Sequence, residues 1–109
     1  MSDKVLEKLI MEEEERQKNT INLIPSENYV SAEMLKVLGS VLTNKYSEGY
    51  PGRRYYSGNK IYDQIELLAI NRLKKAFKLG DDWHVNVQPY SGSSANLAIY
   101  FSLLRPGET

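Results

Sequence analysis

Between Thr43 and Asn59 the chain gathers side chains able to move protons and hold anions: Tyr46, Glu48, Tyr50, Arg53, Arg54, Tyr55 and Tyr56. A phenol can pass on a proton or bind phosphate or carboxylate through its hydroxyl, and a glutamate can act as acid or base. Gly49, Pro51, Gly52 and Gly58 make the backbone permissive and remove any periodicity, so the segment reads as an irregular loop. Structureless loops of this length are uncommon in compact domains and usually carry function. The same composition also suits a dimer-packing loop, because Tyr and Arg are enriched in interfaces. The two readings do not exclude each other.

A second cluster, Ser91-Gly92-Ser93-Ser94, follows the β-type run His84–Gln88 and the breaker Pro89. It opens an apolar helix expected from about Ser94 to Leu104. Unpaired N–H groups at a helix start, beside small hydroxyls and a glycine, suit a phosphate. On this pattern alone the plainer reading, Ser93 or Ser94 as an ordinary N-cap, is favoured, since serine caps are common. The third cluster, Ser26-Glu27-Asn28, suits a polar site or a plain turn leading into a helix.

The positioning elements follow from pattern. Ser2 can cap a first helix with apolar face Val5, Leu6, Leu9 and Ile10, and Glu12–Glu15 reads as its solvated continuation. Ile21–Ile24 is extended, since Pro25 biases Ile24 away from helix. Ser31 caps a second helix with Glu33 in its first turn and the stripe Met34, Leu35, Leu38, Val41 and Leu42. Asp63 falls in the first turn of a third helix, which Gly80 is expected to end after Lys74, Lys75 and Lys78. The last helix is apolar almost all round and needs burial that the rest of the chain supplies poorly. Ending at Thr109, the chain reads as cut short of its own core.

Composition excludes several classes. Fourteen Lys plus Arg balance fourteen Asp plus Glu, so bulk charge does not hold a polyanion and no nucleic-acid role is indicated. No cysteine and a single histidine, His84, leave neither a disulfide framework nor a thiolate or histidine zinc site. No apolar run approaches a membrane span. The setting expected is soluble and cytoplasmic, without a metal.

The segments Leu23–Asn28, Gly39–Tyr56 and Asn86–Asn96, in this order, resemble the N-terminal quarter of serine hydroxymethyltransferase. The middle segment, Gly39-Ser40-Val41-Leu42-Thr43-Asn44-Lys45-Tyr46-Ser47-Glu48-Gly49-Tyr50-Pro51-Gly52-Arg53-Arg54-Tyr55-Tyr56, is the most specific. The resemblance implies an α/β chain of pyridoxal-phosphate-dependent transferase fold type I, the three-layer α/β/α, aspartate-aminotransferase-like architecture. Residues 1–80 would be its N-terminal helical arm and interface loop, and residues 81–109 the first strand and helix of the cofactor-binding large domain. The implied activity interconverts serine and glycine, passing a one-carbon unit to tetrahydrofolate, in a homodimer or tetramer.

The resemblance also implies roles. Ser91, Gly92 and Ser93 match the cup for the phosphate of pyridoxal 5'-phosphate, and Tyr46 matches a tyrosine reaching that phosphate in the neighbouring subunit's site. Glu48 matches a glutamate that handles protons near the substrate hydroxymethyl group and folate. Tyr55 and Tyr56 match a pair lining substrate and folate in that same neighbouring site. Ser26 matches a serine near the amino-acid carboxylate, with Glu27 and Asn28 holding its turn.

Pro25, Ser57, Asn59 and Tyr90 depart from the usual alanine, glycine, cysteine and histidine without removing an assigned residue. Lys45 and Lys60 do not lie in the family's Schiff-base lysine motif. The resemblance therefore implies that these residues alone lack the covalent platform of the reaction. A second possibility is a non-catalytic module that docks on a complementary chain.

Overall fold

Asp3, not Ser2, starts the first helix of the computed structural model, which describes residues 2–109. The Asp3 carboxylate accepts the N–H groups of Val5 and Leu6, both at 3.0 Å, and opens α1 (Lys4–Asn19). A charged acceptor at the positive end of a helix outdoes a hydroxyl one residue earlier. The glutamate run behaves as solvated surface: Lys8 reaches Glu12, Arg16 reaches Glu13 and Lys18 reaches Glu14, all exposed and within one turn. Such pairs add little stability.

Extended chain then runs to a turn at Pro25-Ser26 and on to α2 (Ala32–Leu38), capped by Ser31 as expected, whose hydroxyl accepts the Met34 N–H. Val41 and Leu42 do not extend its stripe. Gly39 closes the helix with its N–H on the Leu35 carbonyl at 3.0 Å, and Ser40 folds both its N–H and hydroxyl onto Val37. The chain divides into two compact units between Ser40 and Val41.

The second unit starts with a 3-10 turn (Val41–Asn44), whose Val41 and Leu42 carbonyls accept the Tyr62 hydroxyl. The expected irregular loop holds a short antiparallel hairpin, β1 (Gly49–Tyr50) with β2 (Arg53–Arg54), in the register Gly49 to Arg54 and Tyr50 to Arg53. Pro51-Gly52 makes the reversal, with Gly52 at φ 74°, the positive angle that a type II turn demands after proline. Gly49 is more constrained, since at φ 99° an added Cβ would collide with the Arg53 carbonyl oxygen.

α3 (Lys60–Ala76) follows, and its end differs from expectation. Lys78, at φ 55°, takes the left-handed position two residues before Gly80. Leu79 N–H bonds to the Lys74 carbonyl at 2.9 Å and Lys78 N–H to that of Lys75 at 3.2 Å, a Schellman closure built without glycine.

His84–Gln88 does not form a strand, because no second strand among the described residues offers it a ladder. Its polar groups bond elsewhere: Gln88 N–H turns back on the Asn86 side chain at 2.8 Å. α4 runs over Gly92–Leu103, two residues earlier than expected, with Ser91 rather than Ser93 or Ser94 as its cap. Among the described residues no hydrophobic side chain is buried, and Asn59, 4% exposed, is the one buried polar residue. No helix among them is long and apolar enough to cross a membrane.

Candidate functional site

The hairpin is organised by a single guanidinium. Arg54, with only 6% of its side chain exposed, donates Nε to Asp63 at 2.7 Å and Nη2 to Glu66 at 2.6 Å. Asp63 and Glu66 stand three residues apart on α3, so one helical face presents both carboxylates. The Nη1 of Arg54 donates to the carbonyls of Ser47 and Gly49, at 2.8 and 2.6 Å. Asp63 also accepts the Gly52 N–H at 3.0 Å, which fixes the turn. The pairing raises the pKa of Arg54, through Glu66 first and Asp63 second. It holds the Asp63 carboxyl below its ordinary range, through Arg54 first and the Gly52 N–H second. Arg54 is therefore committed to holding the loop and is not free to bind a ligand.

This clamp leaves Glu48 in an unusual position. The carbonyls on either side of it are held by Arg54, and its own carbonyl accepts the Tyr55 N–H at 3.1 Å. Three successive carbonyls are thus fixed, while the Glu48 side chain is exposed and has no hydrogen-bond or ion-pair partner among the described residues. A groove of about 510 Å³ lies beside it, walled by Ser47, Glu48, Tyr62, Ile65, Val87 and Gln88. A carboxylate on rigid backbone with an open side chain can receive or return a proton to a molecule placed against it.

Two of the loop's tyrosines pack on each other. Tyr46 and Tyr56 meet edge to face, with centroids 5.3 Å apart and planes at 87°. Both remain exposed residues, as does Tyr55. Asn59 ties off this end of the loop, its side-chain N–H on the Tyr56 carbonyl at 2.9 Å and its own carbonyl accepting Asp63 N–H at 2.8 Å.

Ser91, Gly92 and Ser93 lie at the start of α4 in the same unit. The Ser91 hydroxyl accepts the Ser94 N–H at 3.4 Å, a long bond, and the Ser94 hydroxyl donates to the Ser91 carbonyl at 2.9 Å. The N–H groups of Gly92 and Ser93 are the first of the helix and have no intrahelical acceptor. Nothing stands within 4 Å of where a Gly92 Cβ would be, so an anion can approach closely. The donor set, two hydroxyls and two free N–H groups at a positive helix end, fits a phosphate.

Ser26 belongs to the other unit, exposed in the Pro25-Ser26 turn. The turn closes with Glu27 N–H on the Ile24 carbonyl at 3.1 Å, and the Asn22 side chain bridges it, bonding to the Glu27 carboxylate and to Ile24 N–H. Glu27 does hold the turn, through an asparagine that pattern reading did not single out. Glu66 and Gln88 were also missed. The spacing of Asp63 and Glu66 on one helix face was the available signal for the first, and nothing local marks Gln88.

A sequence model described as serine hydroxymethyltransferase matches residues 1–109. Proteins of that name are similar to this chain: 61% identical in Desulfotalea psychrophila over 101 residues, which cover 93% of this chain and 23% of that protein. The relative in Acidothermus cellulolyticus is 61% identical over 108 residues, 99% of this chain and 25% of the relative. That in Mycoplasma mobile is 57% identical over 107 residues, 98% and 25% respectively. The chain thus spans about a quarter of the length of the curated relatives it matches. With its whole length matched, the chain belongs to the serine hydroxymethyltransferase family.

Proposed function

We propose that these residues serve a serine hydroxymethyltransferase, which interconverts serine and glycine and transfers a one-carbon unit to tetrahydrofolate. The observation that carries the reading beyond family membership is the Glu48 carboxylate, exposed on backbone whose three neighbouring carbonyls are all held. The intact architecture would be the three-layer α/β/α transferase fold, with residues 1–80 as arm and interface loop and 81–109 opening the large domain. Its setting is cytoplasmic and its assembly a homodimer or tetramer.

Pyridoxal 5'-phosphate, when bound, would supply the electron sink for bond breaking at the amino-acid α carbon. The hydroxyls of Ser91 and Ser93 and the N–H of Gly92 would hold its phosphate, joined by the Tyr46 hydroxyl from a neighbouring subunit. Glu48 would take and return the proton of the substrate hydroxymethyl oxygen. Tyr55 and Tyr56 would line the substrate and folate and limit water, and Ser26 would orient the amino-acid carboxylate. The family's Schiff-base lysine motif is not among these 109 residues, so turnover needs sequence that carries it.

Joining this chain to the lysine-bearing three quarters of a relative tests the reading. The assembled enzyme should convert serine and tetrahydrofolate to glycine, and Glu48→Gln should lower kcat by at least about a hundredfold. Full activity in the Glu48→Gln enzyme would reject the assignment. The exposed apolar faces of α1 and α4 support a docking role as well. An assembled enzyme that forms but never turns over would leave docking as the function.

A further inference from the structure

The clamp on the hairpin has a second partner from outside the loop. Gln88 lies 39 residues beyond Gly49 in sequence, yet its side-chain amide donates to the Gly49 carbonyl and to Glu66, both at 2.8 Å. Glu66 offers its other oxygen to Arg54, and Arg54 returns to the Gly49 carbonyl at 2.6 Å. The four groups close a ring: Gln88 to Gly49, Gly49 to Arg54, Arg54 to Glu66, Glu66 to Gln88. Gln88 is itself aimed by its backbone N–H on the Asn86 side chain, and Asn86 also reaches the Tyr50 hydroxyl at 3.4 Å.

This ring is more than loop packing. Gly49 is the residue after Glu48, and its carbonyl takes two donors, which matches the two lone pairs of a carbonyl oxygen. The Gly49–Tyr50 peptide is then fixed in orientation, and together with the held Ser47 and Glu48 carbonyls, which flank the Glu48 Cα, it restricts the direction in which the Glu48 side chain leaves the backbone. A methionine at position 88 would fill similar space without either donor. A lysine would keep donors for both acceptors. Chemistry and volume can therefore be separated.

Resting on the function proposed above, we infer that Gln88 is a positioning residue for Glu48, latching the hairpin to the segment that leads into the Ser91–Ser93 helix start. Its role passes through the Gly49 peptide and Glu66, not through contact with substrate. Arg54 supplies the charge of the latch, and Gln88 supplies the link between two otherwise separate parts of the site.

Amide hydrogen exchange in the assembled enzyme, where the apolar faces are covered, tests the latch directly. In Gln88→Met the Tyr55 amide should exchange about tenfold faster, the effect of losing one hydrogen bond to a carbonyl and one to a carboxylate. Gln88→Lys should stay near the unchanged chain, and amides of α1 should be unaffected in both. Unchanged Tyr55 exchange in Gln88→Met, or equal acceleration in Gln88→Lys, overturns the latch. Should Gln88→Met accelerate exchange everywhere, Gln88→Asn, one methylene short, decides: acceleration confined to residues 47–56 supports the latch and its absence rejects it. In the assembled enzyme, Gln88→Met should lower kcat about tenfold while pyridoxal phosphate affinity changes less than about twofold. Cofactor affinity falling in step with kcat would place Gln88 at the phosphate cup and reject the positioning role. An unaltered assembled enzyme inert toward serine would reject the functional reading and Gln88's part in it, with the exchange result alone judging the latch.

Discussion

The Glu48 carbonyl accepts the Tyr55 N–H at 3.1 Å, one rung beyond the Gly49–Arg54 pairing of the hairpin. The two residues are thus locked together through main chain, while Tyr55 is 76% exposed and the Glu48 side chain is open. Rigid backbone under free side chains is the arrangement expected of groups that act on something outside their own unit.

That rung depends on Arg54, and replacing it should show how much. Arg54→Met leaves Asp63 and Glu66 facing each other without a cation and frees the carbonyls of Ser47 and Gly49. Exchange at the Tyr55 amide should rise roughly a hundredfold, since charged partners count for more than neutral ones. Arg54→Lys should still exchange at least about tenfold faster, because an ammonium cannot span four acceptors as a planar fork does. Wild-type protection in Arg54→Lys would show that charge alone holds the loop.

How much of this was legible beforehand depends on range. Ser31 as a cap, the glutamate run as surface and Asp63 in a first turn are decided within four residues, and sequence suffices for them. The hairpin was hidden because its strands are two residues each, held by α3 rather than by a ladder of their own. His84–Gln88 has strand composition but no strand beside it, and that partner is a non-local fact. The residues proposed for the site, Tyr46, Glu48, Tyr55 and Tyr56, stand out in the sequence by their chemistry. Their support was less legible: Glu66 reaches the loop through Arg54, twelve residues away, with only its spacing from Asp63 as a signal, and Gln88 lies 22 and 39 residues from its acceptors.

Acid should loosen the hairpin and spare α1, although both hold a carboxyl below its ordinary range. Asp63 is held below its ordinary range by Arg54, and Glu13 is lowered to about 2 by Arg16 and then Gln17. A carboxyl whose folded pKa is depressed stabilises above its unfolded value, near 4, and that contribution is lost as pH falls through the folded value. Hairpin amide protection should therefore decline below about pH 4, whereas α1, whose Glu13–Arg16 pair is exposed, should change little between about pH 4 and 2. Asp63→Asn should flatten the hairpin profile without altering that of α1. A pH-independent hairpin would mean Asp63 stays ionised by other means.

The two hairpin glycines should differ in cost. Gly49→Ala forces a Cβ into the Arg53 carbonyl at a left-handed φ, whereas Gly52→Ala meets open space and carries only the penalty of its positive φ. In the assembled enzyme, denaturant unfolding should show about 1–2 kcal/mol lost for Gly52→Ala. Gly49→Ala should lose more, about 3 kcal/mol, with the hairpin displaced. Equal losses would mean that the Arg53 peptide yields without resistance.

Exposed apolar surface predicts how the isolated chain behaves. Phe101 of α4 is 83% exposed, and Leu97, Ile99 and Leu103 beside it are also uncovered. Patches of this kind drive association, so sedimentation of the 109-residue chain should show self-association that Phe101→Ser with Leu103→Ser reduces. A monodisperse, cooperatively unfolding monomer would contradict this.

The remaining question is which subunit's site the tyrosine loop completes. Tyr46, Glu48, Tyr55 and Tyr56 are exposed on a loop already satisfied internally by Arg54, so their side chains are available to a neighbour. The proposal is that they serve the partner's site and that Ser91–Ser93 serve their own. Consider an assembled dimer with Glu48→Gln in one subunit and the Schiff-base lysine replaced in the other, each inactive as a homodimer. If the loop acts across the interface, one site collects both lesions and the other neither, and about half the activity per dimer returns. If the loop acts within its own subunit, every site carries one lesion and nothing returns. Activity in the mixed dimer, with heterodimer formation confirmed by mass, should follow the first pattern; a silent heterodimer would assign the loop to its own subunit.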